Sequence, residues 1–122
     1  MRTILTVDDS TSMRQMVRAT LQSAGYGVVE AADGQEALEF ARTNKVDLVI
    51  SDVNMPRMDG ITLVHELRTL STYRLTPLLL LTTESSQEKK LEGKRAGATG
   101  WIVKPFNPSQ LINTLSRLFA TP

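Results

Sequence analysis

The chain has 122 residues, 41% of them hydrophobic and 22% charged, a balance that fits one folded domain around a single core and excludes a disordered or fibrous polymer. Its 14 Lys and Arg against 13 Asp and Glu leave a net charge of +1, so no global field draws in nucleic acid or an anionic membrane, and charge-dependent function has to be local. Cysteine is absent, which excludes a disulfide scaffold and thiolate metal sites.

The opening Met1-Arg2-Thr3 leads into the apolar run Ile4–Val7, too short for the h-region of a signal peptide, and no stretch is long enough to span a bilayer; a cytoplasmic location is the default expectation. That run is bounded by polar residues and reads as a first buried strand. Met13, Met16, Val17, Leu21 and Ala24 then recur at helical spacing and form one apolar face. A second strand centres on Val28-Val29, and Asp33 with Glu36 is a capping box that opens a helix carrying Leu38 and Ala41. Leu48–Ile50 is a third strand, and after Asp59-Gly60 the residues Leu63, Val64 and Leu67 make the inner stripe of the next helix. His65 takes a polar position on that helix and reads as a surface residue.

Leu78–Leu81 is a fourth strand. The segment from Ser86 to Ala96 is the weakest helix, because only Leu91 and Ala96 offer apolar contact and Gly93 costs about 1 kcal/mol relative to Ala in a helix interior. Its Lys89, Lys90, Lys94 and Arg95, interspersed with Glu88 and Glu92, read as a solvated face. Ile102-Val103 is the fifth strand, and Asn107-Pro108 supplies a cap and a first helical residue for Leu111, Ile112, Leu115, Leu118 and Phe119. There is no internal repeat, linker or low-complexity tract.

Strands alternating with helices give a (βα)₅ chain, and right-handed crossovers then favour a parallel sheet with helices on both faces. In such doubly wound sheets ligands bind beyond the carboxyl ends of the strands, where strand order reverses. Asp8 and Asp9 follow the first strand, Asp52 the third, Thr82 closes the fourth and Lys104 follows the fifth, so all five converge on one edge. Singly, Asp9 could serve only to cap the first helix and Asp52 only to end a strand in a turn. Their joint placement favours a site.

Three carboxylates at one place repel unless a cation sits among them, and an all-oxygen cluster with room for water suits Mg²⁺ and not zinc. The loop after the first strand lacks the glycines and cations of a phosphate cradle, which disfavours FMN or a nucleotide. With a metal present the same cluster suits phosphoryl transfer, Lys104 supplying a second positive charge and the central carboxylate, Asp52, acting as the nucleophile that forms an acyl phosphate.

The stretch DVNMPRMDG from Asp52 to Gly60, together with Asp8-Asp9, Thr82 and Lys104-Pro105-Phe106, resembles the signature of the response-regulator receiver family over the whole chain. Members of that family are themselves standard illustrations of the strand-order rule used above. The resemblance implies a flavodoxin-like doubly wound five-stranded parallel sheet of order 2-1-3-4-5, and a single receiver domain over residues 1–122 with no output domain. It implies that Asp52 takes a phosphoryl group from a histidine kinase. It also implies that Asp9, Asp52 and the backbone carbonyl of Asn54 hold Mg²⁺, with Asp8 acting through water. Thr82 would hydrogen-bond the phosphoryl group, Lys104 would contact another of its oxygens, and the Lys104-Pro105 bond would be cis. Thr83 is adjacent to Thr82, but the spacing to Lys104 favours Thr82.

Trp101 stands where the family carries Tyr or Phe as a rotating switch aromatic, so a switch role and a simple packing role both remain open for its bulkier indole. The run STSMRQM from Ser10 to Met16 resembles the chemotaxis branch, which implies a CheA-type kinase as donor and a flagellar motor switch protein, or another protein, as target. A monomer is expected, with neither nucleic acid nor membrane as partner, and no enzymatic activity beyond its own phosphotransfer and autodephosphorylation. Two alternatives stand beside this. One is a phosphate sink that drains the kinase without binding a target. The other is a Mg²⁺-dependent phosphatase of the haloacid-dehalogenase kind, disfavoured because those enzymes carry D-x-D where this chain has adjacent acids.

Overall fold

In the computed structural model, which describes residues 1–120, every apolar run becomes a strand and every amphipathic segment the helix after it. The order is β1 (Thr3–Val7), α1 (Thr11–Ser23), β2 (Gly27–Ala31), α2 (Gly34–Thr43), β3 (Leu48–Ser51), α3 (Gly60–Arg68), a 3₁₀ turn (Ser71–Tyr73), β4 (Leu78–Thr82), α4 (Gln87–Ala96), β5 (Gly100–Val103) and α5 (Pro108–Ala120). The strands form one parallel sheet of order β2-β1-β3-β4-β5. Strand order therefore reverses between β1 and β3, which places the expected ligand edge at their carboxyl ends.

Successive strand residues point to opposite faces, so the sheet divides its apolar side chains between two cores. Leu5, Val7, Val49, Leu78 and Leu80 pack with Ala37 and Leu38 of α2 and Leu63, Val64 and Leu67 of α3. Ile4, Leu48, Ile50, Leu79 and Leu81 pack on the other face with Val17 and Leu21 of α1 and Leu111 and Leu115 of α5. The central strands β3 and β4 are buried along their whole length, whereas the edge strands β2 and β5 are mostly half-buried because each has only one neighbour.

Two helices differ from their sequence reading. On α1 the inward stripe is Met13, Val17 and Leu21; Met16 is 55% exposed because it lies about 100° round the helix from Val17. Ala24 is also exposed, because the helix stops there. Gly25 at φ 91° lets the Tyr26 amide donate to the Leu21 carbonyl and the Gly25 amide to the Gln22 carbonyl, a Schellman ending. On α4 the correction is larger. Leu91 is 48% exposed, and Gly93 is the helix's one buried residue, with a Cβ built there meeting Leu80 and the Trp101 ring at 3.0 Å. The glycine that weakens α4 as a helix is what lets it lie close against β4 and β5.

Candidate functional site

The sheet ladder sets out the site residues. The Asp8 amide donates to the Ala31 carbonyl at 3.2 Å, Asp52 to Val7 at 2.9 Å and Lys104 to Thr82 at 2.8 Å, so each of these residues continues its strand by one step and then leaves the sheet. Carboxylate oxygens of Asp8, Asp9 and Asp52 come within 4.8 Å of one another. Lys104 Nζ donates to Asp8 Oδ2 at 2.9 Å and stands 3.4 Å from Asp52 Oδ2, with both ion pairs largely shielded from solvent. The Val53 amide donates to Asp52 Oδ1 at 2.7 Å. The two Asp52 oxygens are therefore inequivalent, one held by the backbone and one facing the ammonium.

Asp9 does not cap α1. The N-cap is Ser10, whose hydroxyl accepts from the Met13 amide at 3.2 Å, while Asp8 Oδ1 accepts from the Ser10 amide at 2.9 Å. Asp9 is exposed beside its buried neighbour, which leaves its carboxylate available to a ligand. Thr82 is fully buried at the end of β4 and its Oγ1 accepts from the Glu84 amide at 3.2 Å, whereas Thr83 faces solvent. Asn54 lies exposed in the loop after β3, two residues beyond Asp52, and the Lys104–Pro105 peptide is cis. Trp101 is half-buried on β5, and its Nε1 donates to the Glu84 carbonyl at 2.9 Å. On α4, Lys89 pairs with Glu92 at 3.3 Å, and His65 is exposed on α3.

Several supporting residues carry no local signal. Arg14 donates from Nη1 to the Asp8 carbonyl and from Nε to Glu30 at 3.1 Å, and Arg18 donates to the same Glu30. Arg57 reaches Asp33 from the loop after β3. The Glu36 amide, and after it the Arg57 guanidinium, hold the Asp33 carboxyl below its ordinary pKa against the opposing effect of burial. A Cβ on Gly60 would lie 2.0 Å from the Asp52 carbonyl oxygen, so only glycine allows α3 to start so close to the acidic residue. The sequence marks this glycine only as the start of a helix, in the pair Asp59-Gly60.

Three carboxylates against one ammonium are a hard-oxygen donor set with unbalanced negative charge, which fits Mg²⁺. Among the described residues a depression of about 530 Å³ is lined by Arg2, Lys45, Asp47 and Phe119 at the opposite ends of the strands, away from the acidic triad.

A doubly wound sheet with an acid triad and a lysine at its switch point defines a receiver. Residues 4–116 match the response regulator receiver domain, and the chain belongs to that family. It is a signalling switch homologous to chemotaxis response regulators of the CheY type. It is 38% identical to chemotaxis protein CheY-3 of Vibrio cholerae over 95% of this chain and 90% of that one. It is also similar to the structure of the chemotaxis protein CheY4 of Vibrio cholerae, with 58% identity, a TM-score of 0.92 and coverage of 97% and 98% of the two chains. A third likeness is to the response regulator TrrA of Thermotoga maritima in complex with Mg²⁺ and BeF, at 33% identity, a TM-score of 0.87 and coverage of 97% and 99%. Among the described residues no helix is long and apolar enough to cross a membrane.

Proposed function

We propose that Asp52 accepts a phosphoryl group from the phosphohistidine of a CheA-type kinase and that the modified chain signals by binding a protein target, a flagellar motor switch protein by likeness to its chemotaxis relatives. The observation that carries this reading is the setting of Asp52, flanked within 4.8 Å by two further acids and at 3.4 Å by Lys104. Asp9, Asp52 and the Asn54 carbonyl would hold Mg²⁺, with Asp8 acting through water. When bound, the ion would supply positive charge to neutralise the negative charge that gathers on the carboxylates and the transferring phosphoryl group.

The protein's own groups do the rest. Asp52 Oδ2 attacks phosphorus as the bond to the kinase imidazole breaks, and the imidazole nitrogen keeps the electron pair and takes up a proton. Lys104 is poised between Asp8 and Asp52 and can exchange its Asp8 contact for a phosphoryl oxygen. Thr82 donates its hydroxyl to another. Incubation with acetyl phosphate and Mg²⁺, followed by intact mass measurement, should show one phosphoryl group added, and Asp52→Asn should prevent it. Equal labelling of the Asn variant would remove Asp52 as the acceptor. Titration of the phosphorylated chain against a motor-switch peptide then separates a target-binding signal from a phosphate sink, which would bind none.

A further inference from the structure

The loop after β3 contains a strained turn that its surroundings hold in place. The Met58 amide donates to the Pro56 carbonyl at 2.7 Å, and Arg57 between them sits at φ 67°, a γ-turn with positive central φ that is rare and costly for a residue with a Cβ. Such conformations persist only where neighbouring contacts enforce them. Here the contacts come from the start of α2. Arg57 reaches Asp33 Oδ2 from Nε at 2.9 Å and from Nη2 at 2.8 Å, while Asp33 Oδ1 is occupied by the Glu36 amide at 2.9 Å. The carboxylate is therefore fixed in orientation. The Gly34 amide also donates to the Met58 carbonyl at 3.3 Å, and a Cβ at Gly34 would lie 2.6 Å from that oxygen. At the far end of the loop, the Gly60 amide donates to the Val53 carbonyl at 2.8 Å.

We infer that Asp33 and Arg57 are positioning residues for the metal: their ion pair clamps the loop that carries Asn54, so that its carbonyl is preset for Mg²⁺. This rests on the reading in which Asp9, Asp52 and the Asn54 carbonyl hold the ion. A carbonyl ligand on a loose loop has to be ordered as the ion arrives, and that ordering is subtracted from the binding free energy. A loop already clamped avoids the loss. The Arg57 side chain is 62% exposed, so the pair itself adds little to folding, and its effect on the metal is separable from stability.

Charge gives a test in which the sign decides. Acting at a distance only, Asp33 attracts a cation and Arg57 repels one, so Asp33→Asn would weaken Mg²⁺ binding and Arg57→Gly would tighten it. Acting as a clamp, both changes weaken it. Asn at 33 keeps the helix cap, and Gly at 57 takes a positive φ without cost. The experiment is calorimetric titration of the whole chain with Mg²⁺ and no phosphodonor, with thermal melting in EDTA as the fold control. Both variants should lose about three- to tenfold in Mg²⁺ affinity, less than the 10–100-fold seen when a group bonded directly to a ligand is removed. Arg57→Lys should recover part of it, and the EDTA melting curves should stay close to wild type. Tighter binding by Arg57→Gly, or unchanged affinity in both variants, overturns the clamp; if Asp33→Asn melts too early to titrate, Arg57→Gly decides alone. Asp9→Ala and Asp52→Asn are titrated alongside. If these also leave affinity unchanged, the metal reading itself has failed, whereas if they weaken binding and the clamp variants do not, only the clamp has.

Discussion

Among the described residues Lys104 is the cation that pairs with the carboxylates of the acidic edge, held at 2.9 Å from Asp8 and 3.4 Å from Asp52. One ammonium against three carboxylates leaves the edge negative, so the residues that prepare it for a metal work against the metal-free fold. Asp9 and Lys104 should respond in opposite ways. Asp9→Asn removes an exposed acid with no ion pair and relieves repulsion, so it should raise the denaturation midpoint in EDTA while weakening Mg²⁺ binding. Lys104→Ala leaves the buried Asp8 carboxylate without its partner, which costs on the order of 3 kcal/mol when a shielded pair is broken. The same change should keep or tighten Mg²⁺ binding, because a competing positive charge is gone. Urea titrations in EDTA and Mg²⁺ titrations of the two variants check both halves. A Lys104→Ala protein that is as stable as wild type and binds Mg²⁺ less well would show that the lysine supports the metal site instead of balancing it.

Among the elements, α4 is the one whose helical propensity and packing conflict. Gly93→Ala should gain about 1 kcal/mol from helix propensity. A new methyl there meets Leu80 and Trp101 at 3.0 Å, and overpacking a fitted contact costs about 1–3 kcal/mol. Leu80 is fully buried and has little room to yield, so the packing cost should win and the variant should be less stable than wild type. Leu91→Ala, at an exposed position, should change stability by less than about 0.5 kcal/mol. Denaturant midpoints for the two variants decide the matter. A stabilised Gly93→Ala protein would mean that α4 can lift from the sheet at little cost even in the resting state.

At the scale of the molecule, the acidic edge and the α4–β5 surface are joined through one residue. Thr82 Oγ1 accepts from the Glu84 amide at 3.2 Å, and the Glu84 carbonyl accepts from Trp101 Nε1 at 2.9 Å. If Thr82 turns toward a phosphoryl oxygen, the Glu84 amide loses its acceptor and the indole loses a fixed partner. The C-terminal end of α4 is tied down, since Arg68 donates to the Gly97 carbonyl at 3.0 and 2.8 Å and to the Tyr73 and Thr76 carbonyls at 2.7 Å each. The N-terminal end is held by its cap, the Ser86 hydroxyl accepting from the Lys89 amide at 3.2 Å, and by the two Glu84 bonds, of which the one to Thr82 is lost if Thr82 turns. Because Trp101 is the only tryptophan, its emission reports on this junction alone. Beryllofluoride with Mg²⁺, an acyl-phosphate mimic, should change its intensity or quencher access, and Thr82→Ala should show a much smaller change. A flat wild-type signal, with mimic binding confirmed by fluorine NMR, would make Trp101 a packing residue.

The local elements were legible because each depends on residues a few positions apart. Strand runs, the Asp33 and Asn107 caps, the inner stripes of α3 and α5, and the arrival of five polar groups at strand ends all follow from short-range periodicity and capping. Tertiary structure alone decided which partner each group meets. Lys104 and Asp8 are 96 positions apart and Arg57 and Asp33 are 24 apart, so their pairing exists only once the crossovers have set the strand order. The same holds for α4, where the sequence offered Leu91 and Ala96 as apolar contacts: Ala96 packs against the core, while Leu91 stays exposed and Gly93 is the residue buried on the sheet. Burial on that helix is set by how closely its backbone can approach Leu80 and Trp101, and a distance between distant segments leaves no trace in the order of neighbouring residues.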